Sequence, residues 1–308
     1  MGVNGRTHHL RDLVTEADVV LLVGNRTNQN GTDSWKLYPK DARYIQIDID
    51  GEEIGRNYEG LRLAGDAKLA LAALTGELKK RDLTRRQAGR KALEDKIAEG
   101  HAKFLAGSEA LRTSSRSPIR PERLMEELAP RLRADDIVVA DASYSSIWIS
   151  NYLVAAETGQ RFLTPRGLAG LGWGLPMAMG AKVGNPDKRI ICLAGDGGFA
   201  HCWVELETAR RMGLVVTLMV LNNQILGYQK HAESLRFGMH TDAVHFEPVD
   251  HAAIARACGL PGIRVERADE IGPALDEALA NQSQTTLIDV MTDPDAHPPI
   301  TLFEDLQN

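Results

Sequence analysis

A chain of 308 residues, 43% hydrophobic and 25% charged, is long enough for two folded domains and has the composition of an ordinary globular protein. Its formal net charge of −6 excludes the basic footprint that nucleic acid or an acidic membrane surface requires. The longest apolar runs, such as Val215–Leu221, are strand-sized and too short to cross a bilayer, so neither nucleic acid nor membrane is an expected partner. Residues 1–10 hold no apolar signal core, and the three cysteines, Cys192, Cys202 and Cys258, have no ligand-like spacing. A reducing, cytoplasmic location is the expectation.

In chain order, Val19–Val23 is an apolar run bounded by Asp18 and Gly24, which predicts a buried parallel strand. A loop rich in Asn and Gly follows, and Arg43–Asp50 predicts a second strand ending in acidic residues. Residues 61–78 predict a short strand-like piece at Gly65-Asp66 and an Ala/Leu-rich helix over Ala67–Leu78. This alternation is α/β, but with about three strands it falls short of the five or six of a doubly wound sheet. A stand-alone subdomain this small hides little apolar surface, so the preferred reading puts its other half on another chain. Residues 79–119 turn basic and then Ser/Arg-rich, which predicts a surface helix and an exposed linker; the near absence of aromatic residues argues against a nucleic-acid role.

Pro121 opens a helix, Ile137–Asp141 is a strand ending in a carboxylate, and Ser143–Leu153 is a helix capped by small hydroxyl residues. Gly167–Ala181 is a run of small residues suited to very close packing. Ile190–Ala194 and Val215–Leu221 read as central strands. A helix at Val249–Cys258, a strand near Gly262–Val265, a helix at Glu270–Asn281 and a strand at Thr286–Met291 complete a parallel α/β domain of about six strands.

Two of those central strands end in chemistry-bearing loops. Gly195-Asp196-Gly197-Gly198 leads into a helix, where Gly197 and Gly198 would expose backbone N–H groups to a diphosphate. Asn222-Asn223 ends the second strand and offers oxygen ligands for a hard cation, with Asp196 adding a charge and a nearby carbonyl a third oxygen. Either motif alone occurs in ordinary turns. The 24 residues between Gly197 and Asn222 fit one helix plus one parallel strand, which would bring the two loops together.

The stretch from Gly195-Asp196-Gly197 to Asn222-Asn223 resembles the signature of thiamine-diphosphate (ThDP) enzymes. Val23–Arg26, Ile45–Asp50 with Glu53–Gly55, Gly172–Pro176 and Gly227 extend the resemblance to the acetolactate synthase branch, over nearly the whole chain except the linker. The resemblance implies a fold in which residues 1–85 are the C-terminal half of a Rossmann-like central domain. Residues 86–119 would be the linker and surface helix, and 120–308 a parallel-sheet diphosphate-binding domain. It further implies Asp196, Asn223 and the Ile225 carbonyl as Mg²⁺ ligands. Leu171 would prop the cofactor in a bent shape, and the Ala169 carbonyl would accept a hydrogen bond from its amine. Tyr144 and Ser145 stand where the synthases often have Gln-His near the diphosphate, and Gly195, Gly197, Gly198 and Gly227 complete the cofactor seat.

The family's catalytic base is a glutamate on a pyrimidine-binding domain to which no residue here corresponds, so the resemblance implies a partner chain carrying that domain and the first half of the central domain, in a hetero-oligomer. Tyr228, Gln229 and His231 would face substrate. Pyruvate decarboxylases carry a glutamate at the position of Gln229; an amide cannot act as a general acid, which favours carboligation over aldehyde release. The synthases' Met and Trp are replaced at Tyr228 and about Ala232. His231, His240 and His245 are either substrate contacts or polar surface histidines. FAD is not expected with half of its domain missing. Asp48 follows the Asn/Gly loop at the distance of an NAD fingerprint, but Gly24 and Gly31 do not make its glycine pattern. Cys202 beside His201 lacks further ligands for zinc.

The expectation is therefore one chain of a split ThDP-dependent carboligase resembling acetolactate synthase, acting on a pyruvate-like 2-oxo acid. The alternatives are a 2-oxo acid decarboxylase or aldehyde lyase subunit, a non-catalytic regulatory subunit, and a truncated gene product.

Overall fold

Apolar runs bounded by turn residues become parallel strands in the computed structural model, which describes residues 8–300 apart from Ala156 and Arg166. The chain divides into two compact units, one made largely of residues up to 107 and one of 108–298. Among the described residues no helix is long and apolar enough to cross a membrane.

The first unit holds α1 (His8–Thr15) and a three-stranded parallel sheet, β1 (Val19–Val23), β2 (Arg43–Asp48) and β3 (Leu61–Ala64), in the order β1-β2-β3. One face is a small core of Val20, Leu22 and Tyr44, packed by Tyr38 and Tyr58. On alternate positions Val19 and Leu21 are 44% and 41% exposed, so the strand expected to be buried is covered on one face only. All four residues of β3 are exposed. The strand expected at Gly65-Asp66 thus lies just before it. Asp66 instead caps α2 (Ala67–Leu78), accepting the Leu69 N–H at 2.9 Å. No residue of α2 is buried, although Leu69, Leu71, Leu74 and Leu78 lie on it.

The stretch read as linker and surface helix forms α3 (Thr84–Arg112), laced by exposed pairs such as Arg90–Glu94 and Lys91–Asp95 one helical turn apart.

The second unit is a six-stranded, all-parallel sheet. Its elements are α4 (Pro121–Leu128), β4 (Ile137–Ala140), α5 (Tyr144–Tyr152), β5 (Arg161–Leu163), α6 (Gly174–Gly184), β6 (Ile190–Gly195), α7 (Asp196–Ala200), α8 (Glu205–Arg211), β7 (Thr217–Asn222), α9 (Gly227–Phe237), α10 (His251–Ala257), β8 (Gly262–Val265), α11 (Ile271–Ala280) and β9 (Thr286–Met291). The strand order is β5-β4-β6-β7-β9-β8. Every residue of β4 and β7 is buried, which explains their unbroken apolar character. A core running from Ile137 and Val139 through Cys192 and Phe199 to Leu218 and Leu287 joins the sheet to α6, α8 and α10. Edge strand β5 was not foreseen: three half-exposed residues carry no period. Register sets the site. Gly195 pairs with Leu221 and Asn222 with Met291, so β6 and β7 end side by side.

At the opposite, N-terminal edge, Asp136 just before β4 accepts two hydrogen bonds from Arg189 just before β6, at 2.9 and 2.5 Å, and one from the Arg133 N–H at 2.7 Å. The Asp136 side chain is 0% exposed. Asp136→Ala would strand a largely buried guanidinium, so urea unfolding should show a loss of about 3–5 kcal/mol with ligand binding at the other edge unchanged. A loss below about 1 kcal/mol would place this pair among ordinary surface ion pairs.

Candidate active site

The C-terminal ends of β4, β6 and β7 converge, and a buried carboxylate organises each junction. Asp196 begins α7 directly after β6. One of its oxygens accepts the Gly197 N–H at 2.8 Å and the other the Gln224 N–H at 2.6 Å, which ties the end of β6 to the loop after β7. Gln224 takes a left-handed backbone conformation at φ 58° to make this contact. Asn223 folds its side-chain oxygen back to the Ile225 N–H at 3.3 Å. A short segment then docks on this loop: Leu226 N–H donates to Val244 O at 2.8 Å, and Phe246 N–H to Gln224 O at 2.9 Å.

Asp141 follows β4. It accepts the N–H groups of Ala142 at 2.8 Å, Gly172 at 3.0 Å and Trp173 at 3.2 Å, and so holds the loop that carries Ala169 and Leu171. Within that loop Ala169 has φ 51°, and Leu171 is 36% exposed beside the exposed Leu168 and Trp173. Ser143 is a third residue at positive φ, 65°. Three non-glycine residues at positive φ thus lie at one sheet edge, each at a cost of about 1–3 kcal/mol; four others, Thr27, Asp33, Ser34 and Trp35, lie in the loop after β1. Ser143 makes no side-chain capping bond, which corrects the expected hydroxyl cap of α5; its backbone, at φ 65° and ψ −142°, is not in the extended conformation of a capping residue.

The glycines have steric reasons that sequence reasoning did not foresee. A Cβ on Gly198 would come within 2.3 Å of an Asp141 oxygen, and one on Gly197 within 2.9 Å of Leu226 and the Phe246 ring. A Cβ on Gly227 would meet the Tyr144 ring at 3.0 Å. The Gly197 N–H expected to face a diphosphate is taken up by Asp196 itself.

Tyr144 and His231 form a buried pair, hydroxyl to Nδ1 at 2.5 Å, with the Tyr228 ring edge-on to Tyr144 at 5.9 Å. His231 is therefore buried rather than a surface histidine, whereas His245 is exposed, its Nε2 3.3 Å from that of His240. Ser145 Oγ lies 3.8 Å from where a Gly195 Cβ would sit. The structure thus brings Tyr144, Ser145, Gly195, Asp196, Gly197, Gly198, Asn223, Ile225, Gly227, Tyr228 and His231 to one end of the sheet. It does not bring Gln229 inward: that side chain is exposed and donates to Glu233 at 2.7 Å. Asp141, Gln224 and Phe246 were missed. Only Asp141 had a signal, a carboxylate ending a central strand.

Burial sets the electrostatics. Desolvation pushes Asp196 up to about 7, against the pull of its backbone donors, with the Asp289 charge adding to the rise. A raised value means that its contribution to stability is fully present below the ordinary carboxylate range and is lost as pH rises through about 7. Burial lowers His231 to about 4, assisted by His297 and Lys230, so its imidazole is neutral at pH 7. Burial raises the Tyr144 and Tyr228 phenols. The pair is thus an uncharged hydrogen-bonding unit.

Gly198→Ala should displace Asp141 from the Gly172 and Trp173 amides and lower stability by about 1–3 kcal/mol in thermal unfolding. Gly180→Ala in α6, where a Cβ meets nothing within 4 Å, should be neutral or stabilising. Equal effects of the two changes would contradict the Asp141 packing argument.

Comparison with known proteins identifies the family. The family description "Thiamine pyrophosphate enzyme, C-terminal TPP binding domain" matches residues 141–290, and "Thiamine pyrophosphate enzyme, central domain" matches residues 1–74. The "Probable acetolactate synthase large subunit" of Methanococcus aeolicus is 30% identical over 91% of this chain and 48% of its own length. The sulfoacetaldehyde acetyltransferase of Roseovarius nubinhibens is 30% identical over 97% of this chain and 53% of its own. The acetolactate synthase isozyme 2 large subunit of Escherichia coli is 28% identical, over 91% and 48%. The chain thus spans about half the length of the curated relatives it matches. With its central and C-terminal domains both matched and the site motifs gathered at one sheet edge, the chain belongs to the thiamine pyrophosphate enzyme family and is related to its acetolactate synthase large subunits.

Proposed function

We propose that this chain is the diphosphate- and Mg²⁺-binding part of a ThDP-dependent carboligase that decarboxylates a pyruvate-like 2-oxo acid and passes the acyl unit to an acceptor carbonyl. A partner chain would supply the pyrimidine-binding domain with its glutamate and the first half of the central domain. The observation that carries the reading is Asp196, a buried carboxylate that desolvation keeps protonated up to about pH 7 and that is hydrogen-bonded to the loop of Asn223. A divalent cation would offset that desolvation. The donor set of carboxylate, amide and carbonyl oxygens from Asp196, Asn223 and Ile225 suits Mg²⁺.

When bound, ThDP supplies the electron sink needed for losing CO₂ from a 2-oxo acid. This chain's own residues would do the rest of the holding. Tyr144, Ser145, Gly195, Gly197, Gly198 and Gly227 would flank the diphosphate. Ala169 and Leu171 would support the rings from the loop that Asp141 clamps. Tyr228 and neutral His231 would line the substrate side as uncharged hydrogen-bonding groups. Gln229 donates to Glu233, whose carboxylate is held below its usual range first by that bond and then by the Thr241 N–H. Gln229 is turned out of the site, so neither it nor Glu233 is placed as a proton donor there, which favours carboligation over aldehyde release. The exposed Leu168, Leu171 and Trp173 at the site, and Val19 and Leu21 on β1, are apolar surfaces that a further domain would cover.

Titration calorimetry of the chain with Mg²⁺ and ThDP together should show saturable binding, and Asp196→Asn should abolish it. Heat from the variant equal to wild type would sink the metal assignment. Mixed with the product of a neighbouring gene that carries the pyrimidine domain, plus Mg²⁺, ThDP and pyruvate, the chain should release CO₂ and form a hydroxyketone. Aldehyde as the sole product would move the reading to a decarboxylase, and no CO₂ across a panel of 2-oxo acids would refute it.

A further inference from the structure

Asp289 stands on β9, in register with Val220 of β7, and its side chain is 0% exposed. One oxygen accepts the Asn222 Nδ2–H at 3.0 Å. The other accepts the His251 backbone N–H at 3.0 Å and an Arg264 Nη1–H at 3.0 Å. Asn222 also donates to Val249 O at 2.9 Å, and its own carbonyl accepts the Thr292 N–H at 2.9 Å. The last residue of β7 is therefore fixed through both its side chain and its backbone.

The cation loop starts at the next residue. Asn223 leaves a strand end that cannot rotate, and Gln224 completes the bend toward Asp196 at a strained φ of 58°. A strained turn persists only where its surroundings over-determine it. Asp196 holds one end of that turn and Asn222, through Asp289, holds the other. Arg264, which pairs with Asp289, is 29% exposed and pairs with Glu266 as well.

We infer that Asp289 is a positioning residue for the divalent cation: it locks Asn222 so that Asn223 and the Ile225 carbonyl are presented beside Asp196. Groups bonded directly to metal ligands are worth about 10–100-fold in metal affinity, and Asp289 acts one residue further out, through Asn222. The inference rests on the Mg²⁺–ThDP reading of the site.

The test is calorimetry of the full chain with Mg²⁺ at saturating ThDP, alongside thermal unfolding with neither present. Asp289→Asn should raise the Mg²⁺ Kd about 10–100-fold. Asn222→Ala cuts the same link from the other side with the charge intact, and should also weaken Mg²⁺, by about 10-fold. Arg264→Gln removes a bond to Asp289 but not the link to Asn222, so it should lower the melting temperature and leave the Mg²⁺ Kd unchanged or tighter. A folded Asp289→Asn or Asn222→Ala variant with the wild-type Kd would overturn the positioning role and leave Asp289 a fold-stabilising carboxylate. Wild-type protein that takes up neither Mg²⁺ nor ThDP would instead remove the reading underneath it.

Discussion

Everything at the functional edge depends on a buried carboxylate that has no ion-pair partner among the described residues. Asp196 sits between two strand ends, with one oxygen on its own helix and the other on the neighbouring loop. Desolvation resists its ionisation, and backbone donors offset only part of that cost. Such a group is an expensive way to connect two loops, since an apolar residue would pack there at lower cost. A divalent cation of the kind proposed above would complete the charge balance. The same edge holds the strained Ser143, Ala169 and Gln224, another cost that a bound ligand would offset.

Two further buried carboxylates divide the support. Asp141 fixes the loop of Ala169 and Leu171 through backbone amides. Asp289 fixes Asn222. The three lie at the ends of, or on, β4, β6 and β9, so the parallel sheet serves as a ruler that sets the spacing of the loops around one space. Ligand sites at the carboxyl ends of parallel strands follow from this geometry.

Much of this was legible in sequence, for identifiable reasons. Strands β4, β6, β7 and β9 are buried on both faces, so their apolar runs are unbroken. Asp196 and Asn223 stand directly at strand ends, where loop chemistry is expected. What was not legible depends on contacts between distant residues. Tyr144 and His231 are 87 positions apart, and nothing local distinguishes a buried histidine from an exposed one. Gly198 reads as a phosphate glycine, yet its missing Cβ leaves room for Asp141. Gln224 at positive φ carries no side-chain signal. In the first unit β3 was placed a few residues late, because an exposed strand lacks the period that marks a buried one.

The most direct measurement is the titration of the Asp196 carboxyl itself, followed by ¹³C NMR with Asp196→Asn as the assignment control. Without a cation its midpoint should lie near 7. With Mg²⁺ and ThDP bound it should be ionised from about pH 5 upward, because a ligating carboxylate must lose its proton. A midpoint of about 4 under both conditions, the value of an ordinary solvated carboxylate, would contradict the account.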